Sequence, residues 1–332
     1  MKTKLIILAV TVIALQACFP DEEPVSPYDR GGTQVYSMDS SNIYEKQIFF
    51  DLGTNSIVLE NDVYSWDIAF DCRQDSFHII VNLAKTMMAA NFGKVGFLED
   101  LSGKDSLWNI DRTNGNLDSA SKAIGDWWSE IKGQEVVSKG DMYLINLGLK
   151  SDGRKYGFRR LIIDGYSDGK YRIRFTDKSG NNEVSAEIPK TPGVQFVYFS
   201  FTNSQVLNLE PPEDKWDLLF TRYTYYYDSL GILYGVNGVF LNRKNVKAVQ
   251  LTTDKAFEDI VMSDVTGELS SRMDTIGFDW KGYDLEKQIY YVYTKKYYII
   301  QDFEGFFYKF HFLDFYNKNG VKGFPTFEFM KL

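Results

Sequence analysis

The sequence predicts an all-β protein. Aromatic residues make up 16% of its 332 residues, and their broad, flat side chains suit the half-buried surface of a pleated sheet. Short segments such as 170–175 and 308–312 alternate polar and apolar residues with a period of two. Clusters of Gly, Asn, Asp and Ser separate such segments and are typical of hairpin turns. We therefore expect antiparallel β-sandwiches or open barrels with few short helices.

The alternation also predicts which side chains face the core. In segment 308–312, the aromatic residues at 308, 310 and 312 are expected to point inward, and Lys309 and His311 toward solvent. Helical patterns are weak, and short helices are predicted at 117–130 and 254–262.

The N-terminus predicts export. A short basic region precedes an apolar run over residues 5–15, which is shorter than the roughly 20 residues of a transmembrane helix. Residues 1–17 are therefore predicted to be a signal peptide. The cysteine follows Leu-Gln-Ala at the end of this segment, a pattern that matches a lipobox and makes Cys18 the predicted lipidation site.

The residues after Cys18 are polar and interrupted by proline, so 18–35 is predicted to be a tether. Its acidic start resembles the surface-export signal of Bacteroidota lipoproteins. We therefore expect an outer-membrane lipoprotein, exposed at the cell surface, that meets the membrane only through its lipid anchor. The second cysteine, Cys72, lies in line with apolar residues at period two and is predicted to be a buried thiol.

An internal duplication is predicted from four pairs of similar segments in the same order, each about 150 residues apart. One pair is Ser-Trp-Asp-Ile-Ala-Phe at 65–70 and Lys-Trp-Asp-Leu-Leu-Phe at 215–220. A turn-rich segment at 188–193 lies between two apolar runs. The predicted division is a β module at 36–192 and a second at 193–332, packed against each other.

Composition and motifs favour a binding protein over an enzyme. The formal net charge of −8 argues against a nucleic-acid partner. The two histidines, His78 and His311, are too few for a multi-histidine zinc site and weaken a Ser-His-Asp interpretation. Asp67 and Asp217, which follow the repeated tryptophans, are interpreted as structural carboxylates. His78 interrupts an apolar strand and is either a hydrogen-bonded strand residue or a ligand.

Two segments resemble a known family. Residues 216–223, Trp-Asp-Leu-Leu-Phe-Thr-Arg-Tyr, are similar to the Trp-Asp-x-x-Phe-x-Arg-Tyr signature of the HmuY-like haem-binding lipoproteins of Bacteroidota. Residues 323–328, Gly-Phe-Pro-Thr-Phe-Glu, resemble part of that family's closing hairpin. The resemblance is strongest in the second module.

This resemblance implies a non-enzymatic surface lipoprotein that binds haem or a related porphyrin as cargo and passes it to an outer-membrane receptor. Family members hold the iron with pairs of His or Met side chains. The corresponding interval contains no histidine but contains Met262 and Met273, whose thioethers can ligate haem iron. Packing under a loop is the alternative for both methionines, and no metal is expected beyond the haem iron.

Tyrosines of the second module are candidates for the walls of a porphyrin pocket, although ordinary strand packing also accounts for them. The candidates are Tyr223, Tyr225 and Tyr227. The alternative function is a polysaccharide- or protein-binding accessory lipoprotein without haem, because aromatic side chains on a β face also suit sugar stacking.

Overall fold

The computed structural model describes residues 31–38, 41–117 and 122–332, and within these ranges the protein is all-β, which confirms the predicted fold class. The strands, numbered in chain order, are β1 (Gln34–Ser37), β2 (Lys46–Asp51), β3 (Ser56–Asp62), β4 (Ile68–Asp71), β5 (Ile79–Val81), β6 (Met88–Asn91), β7 (Trp108–Asn109), β8 (Trp128–Lys132), β9 (Glu135–Ser138), β10 (Met142–Asn146), β11 (Phe158–Ser167), β12 (Lys170–Asp177), β13 (Val184–Pro189), β14 (Phe196–Ser200), β15 (Gln205–Leu207), β16 (Leu218–Tyr227), β17 (Ile232–Leu241), β18 (Lys247–Thr252), β19 (Lys281–Asp284), β20 (Ile289–Val292), β21 (Lys296–Gln301), β22 (Phe307–Tyr316) and β23 (Lys322–Lys331). Three-residue 3₁₀ turns lie at Leu83–Lys85, Phe257–Asp259, Met262–Asp264 and Met273–Thr275.

The predicted signal peptide, Cys18 and most of the tether lie outside the described residues. Within the described ranges, no helix has the length and apolar character that a membrane span requires.

The strands form two sandwiches, each with its own hydrophobic core. In the first, an eight-stranded sheet with the order β13-β12-β11-β10-β6-β7, joined by β8 and β9, packs on the sheet β15-β14-β4-β5. In the second, the sheet β1-β23-β22-β21-β18 packs on the sheet β17-β16-β2-β3. All pairings between these strands are antiparallel, in agreement with the prediction from the hairpin turns.

The two four-stranded sheets combine strands from both predicted modules. The hairpin β2–β3 pairs through β2 with β16, and the hairpin β14–β15 pairs through β14 with β4. Each core therefore contains a hairpin from the other half of the chain, and the cores do not divide at residue 192. The modules at 36–192 and 193–332 therefore describe the proposed repeat in the sequence and not the two cores, and this division stays a prediction.

The repeated Trp-Asp segments make matching contacts, which supports the proposed duplication. The backbone N–H of Asp67 donates to Phe199 O at 2.9 Å, and that of Asp217 donates to Phe50 O at 2.9 Å. Both carboxylates are buried and accept backbone N–H groups, as expected for structural residues. An asparagine side chain binds each segment as well. The Asn82 amide donates to Trp66 O, and the Asn242 amide donates to Trp216 O.

The face predicted for Lys309 and His311 is wrong. Both side chains are buried, at 2% and 5% exposure, because the turn at Phe257–Asp259 covers this face of β22. The Lys309 ammonium donates to three carbonyl oxygens of that turn region, and the Phe257 ring stacks on His311 with centroids 4.7 Å apart. Alternation places these residues on the second face of the strand, but it does not show that another segment covers that face.

The helix predicted at 117–130 is also wrong where the structure describes it, and of the helix predicted at 254–262 only the three-residue 3₁₀ turn Phe257–Asp259 forms. Residues 122–127 are irregular and Trp128–Lys132 is a strand, whereas residues 118–121 lie outside the described ranges. The chain here is held by tertiary contacts, including the Trp127 indole N–H that donates to Phe77 O at 2.7 Å. In segment 254–262, the carbonyls of residues 257, 258 and 260 bind Lys309 instead of continuing a helix. Cys72 is a buried free thiol, as predicted.

Candidate functional site

The two four-stranded sheets carry a second set of apolar side chains on their outer faces. In β2, Ile48 and Phe50 enter the second core, and Phe49 between them points the other way. In β14, Val197 and Phe199 enter the first core, and Tyr198 points away from it. Residues 48–50 and 196–199 of these strands are therefore consecutive apolar residues, because both faces of each strand are buried.

The outward-facing side chains line a cavity of about 120 Å³ between the two sandwiches, which we call the inner cavity. Aromatic side chains form much of its wall. They are Phe49, Trp66, Phe196, Tyr198, Trp216, Tyr223 and Phe240.

The repeated tryptophans lie on this wall in matching environments. Trp66 packs edge-to-face on Tyr198, and Trp216 packs edge-to-face on Phe49, with ring centroids 4.9 Å apart in both pairs. Their indole N–H groups differ. That of Trp66 donates to Gln47 Oε1 at 3.0 Å, whereas the Trp216 N–H has no hydrogen-bond partner among the described residues.

A buried carboxyl group, Glu210, supplies the polar part of the wall. It accepts the backbone N–H groups of Gln195 at 3.0 Å and Phe196 at 3.2 Å, and the hydroxyl of Tyr198 at 3.3 Å. Burial raises the pKa of Glu210 to about 8, although these donors and the charge of Arg243 act in the opposite direction. At neutral pH the group is therefore largely protonated, and the cavity carries little charge from it.

Met273 lies at one end of the inner cavity. It begins the turn Met273–Thr275, and its backbone N–H donates to Asn114 O at 3.1 Å. Its side chain packs against Tyr223, Phe240 and the backbone of Gly115. A Cβ at position 115 would lie 2.5 Å from Met273 Sδ, and Gly115 has a φ of +74°, so a glycine is required there.

Beside Met273, a second space of about 300 Å³ opens toward the surface, and we call it the outer pocket. Two arginines lie in it. The Arg112 guanidinium lies 4.3 Å from the Tyr226 ring centroid and pairs with Asp228 at 2.8 Å, and Arg272 pairs with Asp274 at 3.0 Å. The full lining is Asp111, Arg112, Thr113, Asn114, Tyr225, Tyr226, Asp228, Arg272 and Asp274.

Asp111 anchors the segment that separates the two spaces. Its carboxylate accepts the backbone N–H of Val81 at 2.7 Å and that of Ala123 at 2.9 Å. Burial raises the pKa of Asp111 to about 6, against the effect of these two donors. Thr113 binds the segment to the methionine turn by donating to Asp274 Oδ2 at 2.6 Å.

The sequence candidates fall into two groups. Met273 and Tyr223 line the inner cavity, and Tyr225 lines the outer pocket. The remaining candidates line neither space; they are Met262, Tyr227 and His78. Met262 is 39% exposed on its own turn, and Tyr227 packs against Tyr225, Tyr234 and Phe278.

His78 is buried next to Trp128, with ring centroids 5.2 Å apart, on the first sandwich. Within the described parts of the chain, no group of three or more His, Cys, Asp or Glu side chains is arranged to hold a metal ion.

Local sequence patterns do not identify Gln47, Glu210 or Trp216 as cavity residues. The segment that contains Trp216 is repeated and resembles the family signature, but neither pattern shows that its indole lies on a cavity wall. Glu210 stands before two prolines in a loop-like stretch, and no local pattern distinguishes it from an exposed carboxylate.

Comparisons with known proteins agree with the sequence motifs. The family model described as HmuY protein matches residues 194–329. No curated protein matches the chain at a significant level.

Three solved structures are similar to the chain at low sequence identity. A protein of Bacteroides vulgatus named as HmuY-like and heme binding is 13% identical, with 91% of this chain and 96% of that chain covered and a TM-score of 0.24. An apo HmuY analog of Tannerella forsythia is 10% identical, with 92% and 98% covered and a TM-score of 0.26. A protein of Bacteroides fragilis named as a lipoprotein is 15% identical, with 40% and 80% covered and a TM-score of 0.22.

These TM-scores are too low to transfer a site from any of the three structures. The family match covers both the Trp-Asp signature and the closing hairpin on which the resemblance was based. The chain is therefore similar to the HmuY family over residues 194–329, and the resemblance found in its sequence motifs is confirmed.

Proposed function

We propose that this protein binds haem or a related porphyrin at the junction of the inner cavity and the outer pocket. The observation that carries the proposal is the family match over residues 194–329, because this segment contains both Met273 and the tyrosine strand β16. A binding role also agrees with the site, whose described side chains are mainly aromatic and apolar.

The chemistry of the junction fits a porphyrin. The Met273 thioether can ligate haem iron, and aromatic side chains beside it can pack on a macrocycle. In the outer pocket, Arg112 and Arg272 can pair with the carboxylates of a haem, in place of their present partners Asp228 and Asp274.

The inner cavity does not fit a porphyrin in size. At about 120 Å³ it is smaller than the roughly 300–1,000 Å³ of typical ligand pockets. Binding would therefore require the segment around Gly115 and the methionine turn to separate. The hydrogen bond from Thr113 to Asp274 and the packing of Met273 on Gly115 are the contacts that would break.

A haem titration of the mature chain carrying Cys18→Ser tests this proposal. We expect a saturable one-to-one Soret change. We expect Met273→Leu to abolish the spectral features that depend on axial ligation of the haem iron by sulfur, in both the reduced and the oxidised state. Leucine keeps the apolar volume but removes the sulfur. Met262→Leu is the matched control and should leave the spectrum unchanged, because Met262 lines neither space.

A wild-type spectrum without any Soret change would contradict haem binding and favour the polysaccharide- or protein-binding alternative. A specific feature supports that alternative. Tyr283, Tyr291 and Tyr293 on and after the β19–β20 hairpin are 44–46% exposed. The Tyr291 ring lies against Gly282.

We further propose that Cys18 carries the lipid that anchors the protein in the outer membrane, and that cargo passes from this site to an outer-membrane receptor. The lipobox and the acidic residues after Cys18 support the anchor. We expect labelled palmitate to be incorporated into the wild-type protein in cells and to be lost in Cys18→Ser. Equal labelling of both proteins would contradict lipidation at Cys18.

A further inference from the structure

We propose that the inner cavity binds a small aromatic carboxylate, with its ring between the aromatic side chains of the wall and its carboxylate paired with Arg222. The proposal is based on the size of the cavity, the balance of charged groups on its wall and an arginine without an acidic partner. It does not depend on porphyrin binding.

The size and the wall of the cavity favour a single ring. An engineered protein cavity of about 150 Å³ with apolar walls takes up benzene, and the inner cavity measures about 120 Å³. Its wall offers aromatic side chains from both sandwiches, including Trp66, Phe196 and Phe240. Aromatic groups favour offset-stacked and edge-to-face contacts with one another, so a planar ring is the complementary shape. The cavity is partly open, so a charged substituent on the ring can lie at its opening.

Positive groups outnumber negative groups on this wall. Three arginines and two carboxyl groups line the cavity; they are Arg112, Arg222, Arg243, Asp111 and Glu210. Burial raises the pKa of Glu210 to about 8 and that of Asp111 to about 6. Glu210 is therefore largely protonated at pH 7, and the wall carries an excess of positive charge. This excess favours an anion in the cavity.

Arg222 is the arginine of this wall that lacks a carboxylate partner. Arg112 pairs with Asp228 at 2.8 Å. Arg243 lies 4.0 Å from Asp71 Oδ2. Arg222, which is the arginine of the family signature, is half-buried and makes no hydrogen bond or ion pair within the described parts of the chain. A charge that is partly withdrawn from water without a partner is unfavourable, so this position is suited to an incoming anion.

Tyrosines lie near Arg222 where a carboxylate partner would be expected. Burial raises the pKa of Tyr44 and of Tyr64, and the charge of Arg222 opposes the rise in both. Asp62 and Glu45 also act on Tyr64, but neither lies within ion-pair distance of Arg222. A guanidinium binds a carboxylate through two parallel hydrogen bonds. An aromatic acid would therefore supply the missing partner, while its ring fills the apolar space.

Three probes separate the contribution of the ring from that of the charge. They are 4-fluorobenzoate, which has both, 4-fluorobenzamide, which has the ring without the charge, and trifluoroacetate, which has the charge without the ring. Each is titrated into the mature Cys18→Ser chain at pH 7 and followed by ¹⁹F NMR. We expect saturable binding of 4-fluorobenzoate and roughly tenfold or weaker binding of the other two, because each of them loses one kind of contact.

Arg222→Gln tests the pairing. It should weaken binding of 4-fluorobenzoate roughly tenfold, the effect of losing a hydrogen bond to a charged group, and change binding of 4-fluorobenzamide less than about twofold. Arg222→Lys should keep part of the affinity, because an ammonium retains the charge but not the paired donors. Arg154→Gln is the matched control and should leave all three titrations unchanged. Arg154 is exposed, pairs with Asp152 at 2.6 Å and does not line the cavity.

The proposal is overturned if 4-fluorobenzoate does not bind the wild-type chain saturably, or if 4-fluorobenzamide binds as tightly. It is also overturned if an Arg222→Gln variant with an unchanged circular dichroism spectrum weakens both ring probes equally or neither of them. The comparison of probes on the wild-type chain needs no variant, so it decides the matter even if Arg222→Gln does not fold. Haem binding is read from the visible spectrum of the wild-type chain and does not depend on these outcomes.

Discussion

Asp67→Asn is expected to lower the free energy of unfolding by about 3–5 kcal/mol, the usual cost of breaking a buried ion pair from one side. Asp67 Oδ1 lies 2.7 Å from Lys85 Nζ, and the two side chains are 2% and 3% exposed. The Asp67 Oδ2 accepts the backbone N–H of Phe201 at 2.7 Å. Asparagine can keep one of these contacts but leaves the Lys85 ammonium buried without an opposite charge. Urea denaturation at pH 7 measures the loss.

The second Trp-Asp segment provides the matched control, Asp217→Asn. Asp217 holds the corresponding position and accepts the backbone N–H groups of Leu52 and Phe303. Within the parts of the chain that the structure describes, no cation lies in ion-pair range of it. We expect a loss less than half that of Asp67→Asn. In addition, Lys85→Met should be less harmful in the Asp67→Asn background than in the wild type, because the two residues form one pair. Equal losses for both aspartates would contradict the role assigned to Lys85.

The unfolding free energy of the wild-type protein is expected to fall as the pH rises from 5 to 7. Burial raises the pKa of Asp217 from 3.8 to about 7, and that of Glu210 from 4.5 to about 8, against the effect of their backbone donors. Between these values the folded protein holds protons that the unfolded chain has released, so rising pH favours the unfolded chain. Each group contributes on the order of 1.4 kcal/mol per pH unit where the two states differ fully.

Other groups oppose this decline only at the upper end of the window, titrate outside it or act in the same direction. Burial lowers the pKa of Lys281 to about 7, so its contribution opposes the decline near pH 7, develops at higher pH and is lost as the pH falls through 7. Carboxylates with a lowered pKa, such as Glu60, whose main partner is Lys46, titrate below pH 5. Asp111, with its pKa raised to about 6, adds to the decline.

Urea denaturation at pH 5, 6 and 7 measures the slope. Glu210→Gln and Asp217→Asn should each make the slope less steep, whatever their effect on stability at a single pH. As a control, Asp264→Asn should leave the slope unchanged, because the pKa of Asp264 is lowered by Lys255 and the Val261 backbone N–H. A wild-type stability that rises from pH 5 to 7 would contradict the raised pKa values.

Local sequence patterns predicted the strands well because a strand with one face in the core and one in solvent alternates apolar and polar residues. In β12, Tyr171, Ile173 and Phe175 are buried and the residues between them are more exposed, as the alternation indicated. The same pattern failed at Lys309 and His311. A polar residue on the second face of a strand has the same sequence signature whether that face is in water or covered by a turn that binds it.

The candidate site could be predicted only in part. The tyrosine strand and Met273 stand in a segment whose motifs resemble a known family, so residue type and position identified them. Gln47 is far from Trp216 in sequence, and Glu210 stands in a loop only six residues before it, but no local pattern connects either residue with Trp216 at a cavity. Their juxtaposition depends on how the two sandwiches face each other, which is a long-range property.

The all-β class and the family resemblance of the C-terminal part are properties that the amino-acid sequence alone determined, because aromatic content, period-two alternation and short motifs are local. The predicted lipid anchor comes from the same kind of local pattern. The tertiary structure decided which hairpin completes which core and, through this exchange of β2–β3 and β14–β15, created the inner cavity. Antiparallel pairing joins any two edges with suitable apolar faces, and only the packing of the whole chain selects among them.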